Sequence, residues 1–509
     1  MKRDLDRRDF LKLIPAASLA MLAGTMKGLS ANQERQNSDL PNVIILLFDA
    51  FSATHLALHG YPRNTTPNID RFARNATVYH SHYAAGNFTI PGTASLLTGT
   101  YPWTHRAMAM NPQVTRGLAS HNIFLAIGEK YHRLGFSQNI WADMLLHQFG
   151  ENLDAHVDIG EFSLINGTIY NHFFPNDAFY GYKSHDDFLL KRVEKPGSLF
   201  LSFLKEMSAL AKKSFYEEMV RTDSPAGVPD AVSYYQYFEL KPVFEGVRQL
   251  LTSQPNPFLT YMHLYPPHEP YYPHRRFYHS IKDGWAPVTK EQSHFSTGIP
   301  QAVLNNKRDR YDEFILTVDA EFGKTLEHLE AAGLLENSYV IVTSDHGQLF
   351  ERGIHGHSTM VLYEPVIRIP LLISAPKQQG RQDITTNTNC VDLLPTLLHL
   401  SRQSIPDWCE GELLPGLGGV ESPDRSIYSI MSMSPVFSPI ENATVALIKG
   451  QFKLIKYFGY PDMETTFELF DLDEDPEELN NLYTSKTIVA RQMREELESK
   501  IEEINVSYS

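Results

Sequence analysis

Asn87 to Pro102 reads Asn-Phe-Thr-Ile-Pro-Gly-Thr-Ala-Ser-Leu-Leu-Thr-Gly-Thr-Tyr-Pro, a stretch that sets a hydroxyl where an anion can be handled. Pro91 suits the first turn of a helix and Gly99 suits its stop. Thr89 then stands at or just before the helix N-terminus. Unpaired backbone N–H groups and the positive end of the helix dipole would stabilise an anionic ester there, or the charge that grows as one is cleaved. The same position also suits a plain helix cap. On this stretch alone, cap and nucleophile are both open readings.

Two further segments carry matching chemistry. The apolar run Asn42 to Phe48 ends at Asp49, and Tyr339 to Thr343 leads into Ser344-Asp345-His346-Gly347. Continuous apolar runs suit central strands covered on both faces. Ligand sites in open α/β sheets lie beyond the carboxyl ends of such strands. Asp49, Asp345 and His346 at one sheet edge form a plausible divalent-metal site, with the Thr89 oxygen completing it. A bound cation lowers the pKa of a hydroxyl and turns an inert alcohol into a nucleophile. Taken singly, Asp-His-Gly also suits a turn, and Asp49 a helix cap.

The elements that must position these residues alternate between strand and helix over some 360 residues, which points to one large α/β domain. After Asp49, a helix opens at Thr66-Pro67 and runs to Ala73. Leu118 to Leu134 reads as a helix and Phe136 to Trp141 as a strand. Phe258 to Leu264 reads as a strand, Asn305 to Ala332 as a long helix closed by Gly333, Ile369 to Ser374 as a strand and Val391 to Leu400 as a helix. Residues 150–246 are aromatic and irregular and read as an insertion shaping the substrate entrance. Within them Phe200, Phe203, Leu204, Met207, Ala211 and Phe215 fall at helical spacing. That pattern suits a helix packed on the main domain, with peripheral membrane contact as the alternative. Beyond about Pro423 the pattern changes to hairpin strands around Gly450-Gln451, a strand from Phe467 to Leu472 and a charged helix from Ile488 to Ile504. Residues 423–509 are therefore read as a small antiparallel α+β subdomain after a catalytic domain over 40–422.

Composition narrows the class. The chain has 509 residues, 42% of them hydrophobic and 21% charged, which is ordinary for a folded domain. A net charge of −15 argues against a general nucleic-acid binder, because phosphate backbones demand a basic surface. Arg7-Arg8-Asp9-Phe10-Leu11-Lys12 precedes an apolar run to Ala23, too short to span a bilayer comfortably. Residues 1–31 thus read as a twin-arginine-type export signal with a weak small-residue cleavage site near Ser30-Ala31. A retained N-terminal anchor is the alternative, and the expected location is periplasmic or extracellular. Cys390 and Cys409 are the two cysteines; a count of two is no disulfide framework, and free thiols fit equally well.

Taken together, Pro41 to Asp49, Gly60 to Ala73, Ala94 to Pro102, Tyr311 to Lys324, Val340 to Gly347, Leu362 to Pro376, Val391 to Leu398 and Phe452 to Leu482 resemble the sulfatase family of the alkaline-phosphatase superfamily. The resemblance spans nearly the whole chain in the family's order. It implies a large mixed β-sheet flanked by helices, a small C-terminal sheet subdomain and a metal site at the sheet's C-terminal edge. Sulfatases proper carry Cys or Ser in a C-x-P-x-R motif, matured to formylglycine. This chain has Thr89-Ile90-Pro91-Gly92-Thr93, so no formylglycine can form, and Thr93 stands at the arginine position. Ala50 replaces a second metal aspartate, and the Gly-Lys-Trp-His motif falls near Ala142 to His147 without its lysine. The remaining set resembles the single-metal, threonine-using hydrolases and transferases of phosphoryl esters.

The same resemblance marks His263 and His268 in Met-His-Leu-Tyr-Pro-Pro-His-Glu-Pro-Tyr as substrate histidines. His355 and His357 in Gly-Ile-His-Gly-His-Ser lie where the family contacts its anion. Imidazolium there would replace the missing cations and protonate the leaving oxygen. The expectation is an exported hydrolase of sulfate or phosphate esters, phosphoryl esters or diesters favoured. One divalent ion (Mn²⁺, Zn²⁺ or Ca²⁺) is held by Asp49, Asp345, His346 and Thr89, and the substrate is a small-molecule, glycan or lipid ester. A transferase of phosphoryl-linked head groups and a non-catalytic binding protein are the rivals. The sequence does not name an oligomeric state.

Overall fold

A computed structural model describes residues 39–509 apart from 110, 163–164, 167–224, 226–235, 462 and 509. The segment read as an export signal, residues 1–31, and the amphipathic stretch Phe200 to Phe215 lie outside the described residues. Among the described residues no helix is long and apolar enough to cross a membrane.

The main layer is an eight-stranded mixed sheet. In chain order its strands are β1 (Asn42–Phe48), β2 (Thr77–Tyr79), β3 (His132–Ser137), β4 (Ala155–Val157), β5 (Phe258–Leu264), β6 (Ser338–Thr343), β7 (Leu371–Ser374) and β8 (Gln382–Ile384). Their spatial order is β8-β2-β7-β6-β1-β5-β3-β4. β1 sits at the centre, parallel to β5 on one side and to β6 on the other. β7 runs antiparallel to both β6 and β2, which makes the sheet mixed. All seven residues of β1 and of β5 are buried, as unbroken apolar runs require when both faces are covered.

The flanking helices are α1 (Pro67–Ala73), α2 (Thr89–Thr98), α3 (Ile140–Gln148), α4 (Leu240–Ser253), α5 (Gln301–Ala331) and α6 (Leu393–Leu400). One apolar core packs α2 and α6 against one face of the sheet, and a second packs α1, α4 and α5 against the other. α5 ends before Gly333, whose φ of 69° is the left-handed turn a glycine accepts without strain.

Two sequence expectations are corrected. The helix expected over Leu118 to Leu134 is broken into a 3-10 turn at Arg116–Leu118, a short helix Ile123–Ala126 and strand β3. Asn122 caps the short helix through its side chain and Gly128 takes a φ of 84°, so two local turn signals outweigh the apolar spacing. The strand expected over Phe136 to Trp141 ends at Ser137, because Asn139 accepts a hydrogen bond from Trp141 N and opens α3. The range read as an insertion also contributes the sheet's edge strand β4 and the start of α4.

The C-terminal sheet is antiparallel, β9 (Ser426–Ser432), β10 (Ala443–Lys449), β11 (Phe452–Phe458) and β12 (Thr466–Asp471) in sequence order, with α7 (Thr487–Asn505) packed against it. Ile430, Val445, Leu447, Leu454 and Leu469 share one apolar core with α2 and α6. A buried ionic cluster adds to this joint. Lys453 Nζ lies 2.9 Å from Glu364 Oε1 and 2.5 Å from Glu478 Oε1, and Glu364 N donates to Glu478 Oε2 at 2.8 Å. Cys390 and Cys409 are both free thiols.

Candidate metal centre and active site

The C-terminal ends of β1 and β6 bring Asp49, Asp345 and His346 together, all three buried. Their donor atoms lie within 4.8 Å of one another. His346 Nε2 is 3.4 Å from Asp49 Oδ1 and 3.5 Å from Asp345 Oδ2. His346 Nδ1–H donates to Gly347 O at 2.9 Å, which turns Nε2 toward the carboxylates.

Asp49 Oδ1 and Asp345 Oδ2 are buried without a hydrogen-bond partner. Orphaned anionic oxygens are costly in an interior. Two such oxygens converging with an imidazole nitrogen fit a divalent cation, and an oxygen-rich set with one histidine suits Mn²⁺, Zn²⁺ or Ca²⁺.

Thr89 joins this cluster. It is the first residue of α2, after Phe88, which makes no side-chain cap. Its Oγ1 lies 3.3 Å from His346 Nε2 and accepts from Asn139 Nδ2 at 3.1 Å. Gly92 allows this approach: a Cβ there would stand 2.2 Å from Asp345 O. Thr93, one turn further along α2, is fully buried.

The histidines divide into layers. His263 Nε2 faces the carboxylates, 3.2 Å from Asp49 Oδ2 and 3.8 Å from Asp345 Oδ2, and its Nδ1 meets Tyr261 OH at 3.0 Å. His357 packs on His346 with ring centroids 4.2 Å apart, and His268 packs on His357 at 4.7 Å. His357 Nδ1–H donates to Gln348 Oε1 at 2.7 Å, while Gln348 Nε2 donates to Tyr271 OH at 2.5 Å. His355 lies further out, its Nε2 3.1 Å from Tyr271 OH and 3.5 Å from Glu269 Oε2.

Asn139 was not singled out by the sequence, yet its Nδ2 donates to Asp49 Oδ2 at 2.5 Å as well as to Thr89. Its signal is present in hindsight: an amide directly after a strand end and ahead of a helix, at the same sheet edge as Asp49. Gln348, Tyr261 and Tyr271 carry no motif of their own. The Ala142 to His147 stretch, read as the counterpart of the Gly-Lys-Trp-His motif, lies within α3. From this part of the chain, Asn139 is the group that touches Asp49 and Thr89.

Electrostatics follow from burial and neighbours. Burial alone would raise Asp49, but His268, His263 and His346 outweigh it and hold the carboxyl well below its usual range. Burial and the Asp49 charge push Asp345 up. His346 is pushed up to about 9, because Asp345 and Asp49 overcome its burial. Without a cation in the centre, His357 is held well below the usual imidazole range by burial and by His346 and His268.

A pH prediction arises here. A raised folded pKa contributes stability that is complete below the unfolded value of 6.5 and lost as pH rises through about 9. Metal-free protein is therefore expected to melt at progressively lower temperature across that window. Cation-loaded protein, whose His346 must be neutral to ligate, lacks this decline. Melting curves with and without chelator check it, and a metal-free melting temperature that is flat across the window would refute it.

Against known proteins, the sulfatase family model matches residues 41–403, and the model of the N-sulphoglucosamine sulphohydrolase C-terminal region matches residues 353–507. The chain is 23% identical to the ulvan-active sulfatase of Formosa agariphila over 88% of this chain and 78% of that protein. It is 23% identical to the N-acetylgalactosamine-6-O-sulfatase of Bacteroides thetaiotaomicron, over 96% of this chain and 98% of that one. The phosphonate monoester hydrolase of Agrobacterium radiobacter shares the fold with a TM-score of 0.62 at 17% identity, covering 92% of this chain and 97% of the other.

Proposed function

Because the chain belongs to the sulfatase family, we propose that it is an exported, metal-dependent hydrolase of sulfate or phosphate esters in which Thr89 is the nucleophile. The observation that carries this reading is the Thr89 hydroxyl, 3.3 Å from His346 Nε2 in the buried carboxylate–imidazole cluster. Asp49, Asp345 and His346 would hold the cation, which when bound activates the threonine oxygen and neutralises the ester's charge.

Asn139 donates to the Thr89 hydroxyl and restrains it, and the N-terminus of α2 would stabilise the ester's negative charge. His357, fixed at Nδ1 by Gln348, would give its Nε2 proton to the leaving oxygen in the first displacement and then, neutral, take a proton from the water that cleaves the threonine ester. His263 orders the Asp49 and Asp345 carboxylates. His268 backs His357, and Thr93 stands where relatives place a cationic clamp.

Phosphoryl esters are favoured over sulfate on chemical grounds. A formylglycine hydrate expels its sulfate by collapsing to the aldehyde. A threonine ester has no such route and needs a second in-line attack by water, which suits phosphoryl transfer. The sulfatase names among the relatives keep sulfate esters of glycans as the second reading.

Acid-quenched turnover of an aryl phosphate, a phosphodiester and an aryl sulfate tests this. Accurate mass of the Thr89 peptide is expected to show phosphothreonine from the monoester and its ester-bearing counterpart from the diester, and sulfothreonine would select the second reading. Turnover with no adduct on Thr89 under single-turnover quench would overturn the nucleophile assignment. Product release in water without added alcohol or glycan separates hydrolysis from transfer.

A further inference from the structure

Asp143, His147 and His156 converge outside the centre described above. Asp143 and His147 stand one turn apart on α3, and His156 lies on the sheet's edge strand β4. Asp143 is buried, and its two oxygens face two different imidazoles: Oδ1 is 2.8 Å from His156 Nε2 and Oδ2 is 3.5 Å from His147 Nε2. The two rings meet edge to face with centroids 4.4 Å apart. All three donor atoms lie within 4.8 Å of one another.

We propose that Asp143, His147 and His156 form a second cation site, suited to zinc. Zinc takes imidazole and carboxylate ligands at about 2.0–2.1 Å, so neighbouring donors in a tetrahedral shell stand about 3.4 Å apart. The observed 2.8 and 3.5 Å need only small side-chain rotations to reach that spacing. Hydrogen bonding alone accounts for the His156 contact. It accounts less well for His147, whose side chain is 69% exposed yet turns its Nε2 back toward Asp143 at the outer edge of hydrogen-bonding distance. That exposure also leaves a fourth position open to water or to an added ligand.

The site has a structural consequence. α3 is capped by Asn139, whose amide touches both Asp49 and Thr89. A cation bridging α3 to β4 ties the helix that delivers Asn139 to the edge of the sheet. Zinc here positions that element and takes no part in bond making.

The test uses the full chain, stripped with chelator and titrated with zinc alone by calorimetry, with metal content measured after dialysis. Cobalt uptake gives an independent spectroscopic signature of an imidazole-containing low-coordinate site. Wild-type protein is expected to take two equivalents, Asp345→Asn one, and Asp345→Asn combined with His147→Gln none. His147 is exposed, so H147Q leaves the fold intact, which thermal melts in chelator verify. An Asp345→Asn variant that takes no zinc would overturn the second site, as would a His147→Gln, His156→Gln double variant with wild-type stoichiometry. Neither result bears on Thr89 or the first centre, whose metal the Asp345 substitution reports separately.

Discussion

Thr89→Ala is expected to lower kcat/KM on the preferred ester by about 10⁴-fold or more, the scale seen when a nucleophile that works as part of a unit is removed. The alanine keeps α2 intact, because Thr89 is not its side-chain cap and alanine is a good helix former. Metal binding should survive largely unchanged, since Asp49, Asp345 and His346 supply three donors without Thr89. Thr89→Ser, which retains the hydroxyl, is expected to keep measurable turnover and to form the corresponding seryl adduct. Steady-state kinetics with metal analysis on the same samples decide the matter. Equal turnover by wild type and the alanine variant would remove Thr89 from the chemistry. Loss of activity together with loss of metal would make it a ligand first.

The largest effect on stability is expected at Lys453. Its ammonium is buried between Glu364 and Glu478 and held charged because those carboxylates outweigh the cost of burial. Lys453→Met strips Glu478 of its ion-pair partner and leaves Glu364 only the longer 4.0 Å contact to Arg368 Nε, and removing one partner of such a cluster costs about 3–5 kcal/mol. The damage reaches the active centre. Glu364 opens the turn whose Pro365 and Val366 carbonyls accept from Gln348 N and Gly347 N, at 2.9 and 2.7 Å, and so support the Asp345-His346 loop. Urea unfolding should show the loss as a lower midpoint with an unchanged slope. Adding Glu478→Gln should restore part of it by removing one stranded charge. A Lys453→Met variant within about 0.5 kcal/mol of wild type, the range of ordinary surface changes, would show that the cluster does not tie the C-terminal sheet to the main domain.

Much of the fold was legible because its signals are local. The apolar runs of β1, β5 and β6 are dictated by burial on both faces, and each appears where its run of residues ends. Gly99 and Gly333 take the left-handed φ that stops a helix, as their positions after α2 and α5 imply. The segment between residues 118 and 141 misled for an equally local reason. Its apolar spacing suits a helix, but Asn122, Gly128 and Asn139 each provide a turn or cap that divides it.

The primary structure by itself determined the chemical inventory: a threonine, rather than a cysteine or serine, at a helix start, an aspartate at the end of one strand, and an aspartate–histidine pair at the end of another. Those follow from residue type and from short-range backbone rules. Only the tertiary structure decided which side chains share the site. Thr89 and His346 are 257 positions apart in the chain, and their contact depends on α2 packing against the end of β6 through the space left by Gly92. The same convergence recruited Asn139, set His263 on the carboxylates and placed His357 behind His346. Side-chain direction at a sheet edge is set by register and by packing between distant elements, and neither is written in any one segment.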